Sequence, residues 1–165
     1  PLPIYISALR PRALRLAGEL ADGALAWLAP INYLRDEALP RLDEGAARGG
    51  RARPRLVASF PCVMNEDIDV VRKCLQPMLS LYRTLPFYAS MLKAANVDLD
   101  RKDWPAEELS RVAIWGSPDR IREQVSNALA QGIDEITLKL FTDGNSVQEL
   151  TRLVSALRTL NPAVE

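Results

Sequence analysis

The segment Ser7-Ala8-Leu9-Arg10-Pro11-Arg12 carries the residues in this sequence best suited to hold a ligand. A short β-branched and aromatic run precedes it, and Pro11 suits the first position of a helix, so the segment reads as a strand-to-helix junction. A helix start of this kind presents unpaired amides and the positive end of the helix dipole, which suits a phosphate, and Arg10 and Arg12 would add charge. Two solvated arginines are the plainer reading of the same pair. Trp27 and Phe60 each fall near the C-terminal end of an expected strand, where parallel α/β proteins place ligands, so both are candidates to touch a flat cofactor. Arg51, Arg53 and Arg55 form a basic loop that suits a phosphate or, more simply, a solvated connection into the next strand.

Other chemistries lack their residues. The sequence has no histidine, the side chain that most often ligates zinc or serves as base to a Ser or Cys nucleophile. Metal hydrolysis and histidine triads are therefore disfavoured, no metal site is expected, and no catalytic residue is assigned. Gly-x-Gly-x-x-Gly, Walker and Gly-x-Ser-x-Gly motifs are absent. The acidic pairs Asp36 and Glu37, Glu107 and Glu108, and Asp134 and Glu135 are adjacent in sequence. Neighbours diverge by about 100° in a helix and about 180° in a strand, so none makes a working dyad, and all read as surface charge.

Lys and Arg number 21, as do Asp and Glu, so the formal charge is zero. That disfavours electrostatic binding to nucleic acid or an anionic membrane, and neither is expected as a partner. The 165 residues suit one α/β domain, with 48% apolar and 25% charged residues placing the chain among ordinary globular proteins. Cys62 and Cys74 have no Cys-x-x-Cys spacing and read as buried thiols in a reducing compartment. No apolar run has the length of a membrane span and no signal-peptide pattern is visible, so the expected location is the cytoplasm.

These residues sit on an alternation of short apolar runs and longer segments of helical period, the βαβα pattern of a parallel sheet. Pro3 to Ser7, Gly23 to Leu28, Arg55 to Cys62 and Ile133 to Phe141 read as four strands. A helix follows Pro11. Another runs from about Asn32 to Arg48 with Leu34, Ala38, Leu42 and Ala46 on one face, and Pro40 must kink or divide it. Asn65 reads as an N-cap, with Ile68, Val71, Leu75, Met78, Leu79 and Tyr82 forming an apolar stripe after it. Residues 84–111 read as an inserted helical excursion. Val112 to Trp115 then leads into Gly116-Ser117-Pro118-Asp119, with Ser117 as N-cap and Gly132 closing that helix. Ser146 to Glu149 reads as a capping box for the last helix.

Two segments together resemble the C-terminal half of the luciferase-like monooxygenases, the superfamily of bacterial luciferase and the coenzyme F420-dependent methylenetetrahydromethanopterin reductases. One runs from Pro3 to Leu25 and includes Ala17-Gly-Glu-Leu-Ala-Asp-Gly23; it is similar to the family's strand, Gly-Pro turn and Ala-Gly-Glu-x-Ala-Asp-Gly helix end. The other is Trp115-Gly-Ser-Pro-Asp-Arg-Ile-Arg-Glu-Gln-Val125 with Gly132-Ile-Asp-Glu-Ile136, similar to the family's Gly-Thr-Pro-Glu-x-Val helix before its last barrel strand. The resemblance implies a TIM-type (β/α)8 barrel that binds FMN or coenzyme F420 and moves hydride or activates oxygen on a small-molecule substrate. It also implies that the loop and helix start after the fifth strand hold the cofactor phosphate. Here that falls on Leu9, Arg10 and Ala13, with Ser7 just ahead of them and backbone amides as donors. Arg10 departs from the pattern, since glycine or serine is more usual there.

Length is the larger departure. Four strands with their helices correspond to strands five to eight, half of a barrel, with a helical insertion before the last strand. Such a half leaves two open edges and an apolar inner face. The expected partner is therefore a missing N-terminal half-barrel or a second copy in a homodimer. Two functions follow: a flavin- or F420-dependent oxidoreductase, or its phosphate-anchoring half, and a non-catalytic half-barrel acting as a dimeric binding or structural protein.

Overall fold

One parallel sheet orders the molecule, and in the computed structural model, which describes residues 2–98, 103–144 and 146–160, it has five strands rather than four. They are β1 (Tyr5–Ser7), β2 (Gly23–Trp27), β3 (Arg55–Val63), β4 (Ile114–Trp115) and β5 (Glu135–Leu140). β1 pairs β2, β2 pairs β3, and both β4 and β5 pair β3. The helices are α1 (Pro11–Leu20), α2 (Ile31–Tyr33), α3 (Leu39–Arg48), α4 (Ile68–Tyr82), α5 (Pro86–Ala94), α6 (Ala106–Val112), α7 (Pro118–Ala130) and α8 (Ser146–Leu157).

The additional strand pairs β3 beyond the end of β2, with a proline in the gap. The Ser59 carbonyl accepts from Leu28 and the Val63 carbonyl from Gly116, while the Leu56 and Cys62 carbonyls accept from Asp134 and Phe141. Residues of one parity in a strand aim their backbone groups at one edge. Thus β2 and β4 share one edge of β3, end to end, and β5 occupies the other. Pro61 has the parity of Ser59 and Val63, so its missing N–H falls in the gap where β2 has ended and β4 has not begun. β2 leaves the sheet there through Leu28, whose φ of 55° is left-handed. A central strand tolerates a proline at such a break.

Pro40 neither divides its helix nor stands alone. The turn Leu34–Ala38 ahead of α3 is π-helical, with the Leu39 N–H bonding the Leu34 carbonyl, and this wider turn absorbs the donor that Pro40 lacks. Leu34, Ala38, Leu42 and Ala46 all stay buried. At α4 the N-cap is Asp67 rather than Asn65: its carboxylate accepts from Asp69 N (2.9 Å), while Asn65 accepts from Asp67 N (2.8 Å) one turn earlier. Ser117 holds the N-cap position of α7 without a side-chain bond, and Gly132 closes that helix region at φ 94°. Ser146 is the first residue of α8, not its cap, and Glu149 instead accepts the Thr142 hydroxyl (2.7 Å).

α1 packs closely on α3 because both carry a glycine at the crossing. A Cβ at Gly18 would overlap the Leu42 carbonyl oxygen and approach Ala46 N to 2.9 Å, and one at Gly45 would overlap the Arg15 carbonyl oxygen. A Cβ at Gly23 would meet the Tyr5 ring. Asp22 accepts from the Ile4 amide (2.8 Å), which holds its carboxyl below the usual range, and pairs with Arg51 (3.2 Å). The glycines and the aspartate of the Ala-Gly-Glu-Leu-Ala-Asp-Gly segment thus serve packing and strand registration.

Both cysteines are free, Cys62 buried and Cys74 half-buried. Burial pushes the Cys62 thiol up to about 12, with the Glu149 carboxylate adding to it, and burial also raises Cys74. Only the thiolate reacts with alkylating agents. Native protein treated with iodoacetamide at pH 8 should therefore label Cys74 first and Cys62 only after denaturation, as read by peptide mass. Because the folded state keeps Cys62 protonated, its contribution to stability is full below the unfolded thiol value and declines as pH rises from there towards 12.

Candidate functional site

All five strands run the same way, so Ser7, Trp27 and Lys139, at the C-terminal ends of their strands, and the start of α1 just beyond β1 lie at one end of the sheet. The junction after β1 is built as the sequence suggests. Arg10 is the N-cap residue in extended conformation (φ −95°, ψ 151°), Pro11 follows at the first helical position, and no acidic residue stands in the first turn. The first-turn amides of Arg12 and Ala13 have no partner within the helix. The Tyr33 hydroxyl donates to the Leu9 carbonyl (2.7 Å) and fixes the loop from below; burial, then Glu37, raises the Tyr33 phenol. Arg10 and Arg12 are exposed and pair with no described residue. A cleft of about 500 Å³ opens at this helix start between Leu9, Arg10, Tyr33, Phe87 and Met91.

The start of α7 differs. Asp119 already places a carboxylate in its first turn and pairs with Arg122, while the Arg120 guanidinium stacks 3.8 Å above the Trp115 ring. Of these two helix starts, that of α1 is the one with no acid in its first turn; the carboxylate that lines its cleft, Glu37, pairs with Arg41 (3.5 Å).

The sequence-derived residues separate into two faces. Ser7 is exposed and stands in register with Leu25, and Ala13 is half-buried on α1. Trp27 is in register with Ser59 on the open face of the sheet, its ring edge-on to Tyr82 of α4 at 6.3 Å. Its indole N–H is buried and unpaired in the structure. Phe60 is one residue out of phase. At 1% exposure it lies with Leu28, Leu56 and Ala58 in the core under the helices, on the face of β3 opposite the one that meets Trp27. The basic loop lies at the opposite end of the sheet and is neutralised by Arg51–Asp22, Arg53–Asp134 (2.9 Å) and Arg55–Glu135. That leaves the solvated, ion-paired reading and accounts for one acidic pair.

Lys139 and Phe141 escaped the sequence reading. Lys139 Nζ stands 5.9 Å from the Trp27 ring centre and 5.4 Å from that of Phe141. One step towards the strand's start, Ser59 and Thr137 share a hydroxyl bond of 2.5 Å. The signal was present: Glu135, Thr137 and Lys139 alternate with Ile136, Leu138 and Leu140, marking a strand with one polar face.

A parallel sheet whose strands are joined through covering helices is the architecture of the β/α-barrel class. The chain belongs to the family described as luciferase-like monooxygenase, whose model matches residues 1–135. It is 22% identical over 157 residues to the 5,10-methylenetetrahydromethanopterin reductase of Methanopyrus kandleri, covering 83% of this chain and 44% of the reductase. Among solved structures, an F420-dependent secondary alcohol dehydrogenase in complex with an F420–acetone adduct aligns with TM-score 0.71 and 16% identity over 96% of this chain and 49% of that one. The FMN-bound oxygenating constituent of 3,6-diketocamphane monooxygenase from Pseudomonas putida aligns with TM-score 0.67 and 17% identity over 98% of this chain and 48% of that one. The chain spans about half the length of these relatives, and its fold is that of half a TIM-type barrel. No helix among the described residues is long and apolar enough to cross a membrane.

Proposed function

We propose that this chain is the cofactor-phosphate-anchoring part of a flavin- or F420-dependent oxidoreductase acting on a small-molecule substrate. The observation that carries the reading is the start of α1: open amides, no acid in the first turn and two unpaired arginines beside a cleft. These residues fit the phosphate that FMN and F420 share. A bound flavin or deazaflavin supplies the hydride chemistry, and the protein supplies orientation, electrostatics and exclusion of water. The amides of Arg12 and Ala13 and the Arg10 side chain, where the family more often has glycine or serine, would hold the phosphate, and Trp27 would pack against the ring.

The holoenzyme under this reading includes a further four-strand β/α unit. Among the described residues β1 pairs only β2 and β5 only β3, and apolar groups stand exposed next to both edges: Leu2 and Ile4 ahead of β1, Val147 and Val154 on α8 after β5. Such a unit, joined to this chain or supplied by a second copy, would cover them and close the inner face.

Titration of the purified protein with FMN, riboflavin and F420, followed by ligand fluorescence, tests the proposal. FMN should bind at least about tenfold more tightly than riboflavin, since a charge-assisted phosphate contact contributes about 1.5–3 kcal/mol and about 1.4 kcal/mol is tenfold. Binding of neither FMN nor F420, or equal affinity for FMN and riboflavin, would contradict it.

A further inference from the structure

We propose that Lys139 is the cation of a ligand site on the open face of the sheet, where it receives the negative charge of a planar anion held at the C-terminal end of β5. The inference rests on the functional reading above only for which anion is bound. Lys139 is exposed on the same face as Trp27, and its ammonium is held between two rings, 5.9 Å from the Trp27 centre and 5.4 Å from the Phe141 centre. Aromatic faces attract a cation without neutralising it. No described carboxylate pairs with it: Glu135, the acid on its own strand face, is engaged by Arg55 about 13 Å away along the strand. The Pro61 ring, in register with Lys139, offers no donor or acceptor side chain. The nearby polar groups on this face are the Ser59–Thr137 hydroxyl pair and the buried, unpartnered indole N–H of Trp27.

A lysine that pairs with no described carboxylate and is framed by two rings, beside a donor without an acceptor, is complementary to a planar ligand bearing negative charge. That charge has two sources: the ring of a flavin or deazaflavin once reduced, or an anionic group on the substrate. The phosphate site lies after β1, two strands across from β3 and three from β5, so Lys139 is distinct from it.

The test compares wild-type protein with Lys139→Gln and Lys139→Arg. Affinity for oxidised FMN should stay within about twofold in both, because the phosphate is held elsewhere. If the anion is the ring, the midpoint potential of bound FMN shifts to more negative values in Lys139→Gln and returns in Lys139→Arg. If it is the substrate's, the midpoint is unmoved and benzoate, used as a planar anionic probe, binds about tenfold more weakly to Lys139→Gln. Benzoate binding is read from amide shifts at residues 139–141, a readout that does not need the cofactor. A wild type that binds benzoate there but no FMN or F420 would overturn the cofactor reading and leave this site standing. Lys139→Gln with unchanged midpoint and unchanged benzoate affinity would overturn the site itself.

Discussion

Gly45→Ala lowers the thermal midpoint of the protein, and Gly45→Leu leaves no cooperatively folding chain. Alanine in a helix interior should by itself stabilise by about 1 kcal/mol relative to glycine. Here a Cβ overlaps the Arg15 carbonyl oxygen and comes within 2.8 Å of its carbonyl carbon, and both are backbone atoms of α1 that cannot swing aside. Overpacking of this kind costs about 1–3 kcal/mol and more where the backbone must separate. With both clashing atoms in the backbone the cost lies at the upper end of that range, and less the helix gain it leaves a net loss of about 2 kcal/mol for alanine, a fall of roughly 4–8 °C in a protein of this size. Gly50→Asn is the control. Gly50 has φ 62° with nothing within 4 Å of a built Cβ, and asparagine tolerates that region, so its midpoint should hardly move. Thermal unfolding followed by circular dichroism checks all three; a Gly45→Ala protein as stable as wild type would refute the packing argument.

Reversing both charges at the start of α1, Arg10→Glu with Arg12→Glu, should weaken FMN at least about tenfold and leave riboflavin unchanged. Two attractive charges become two repulsive ones beside a phosphate, and each charge-assisted contact is worth about 1.5–3 kcal/mol. Both side chains are exposed and unpaired, so the fold has nothing to lose by the exchange. The difference between wild type and variant should shrink as salt is added, since exposed charges are screened over about 8–10 Å near physiological ionic strength. A variant that binds FMN and riboflavin in the wild-type ratio would move the phosphate elsewhere.

Sequence sufficed where the physics is local. Pro11 at a helix start and the apolar face of α7 through Ile121, Val125 and Ala128 are set by neighbours within one or two turns, and the structure keeps them, whereas on α1 Leu14 and Ala17 are buried and Leu16 and Leu20, expected on the apolar stripe, are exposed. The face of β3 was not legible. In Leu56-Val-Ala-Ser-Phe-Pro-Cys-Val63 the alternation that marks a half-covered strand is nearly erased, because most residues on both faces are buried. Phe60 and Ser59 then differ by a parity that only the ladder reveals, and it puts the aromatic in the core. β4 was missed because two residues carry no period; it pairs the stretch of β3 that β2 leaves uncovered after Trp27. Lys139 meets Trp27 only through the pairing of β2 and β5 with β3, a long-range fact that single segments do not encode. The motif that carries the family resemblance illustrates the converse. Gly18, Asp22 and Gly23 are legible as a signature, yet their work is helix packing and strand registration, whereas the anion-ready turn lies just ahead of them.

The central claim is that phosphate binds at the start of α1, and amide shifts of the ¹⁵N-labelled protein titrated with FMN test it most directly. Binding there predicts the largest shifts at Arg12 and Ala13, with Asp119 and Arg120 at the start of α7 unmoved. Shifts centred on α7, or none at either helix start, would contradict it.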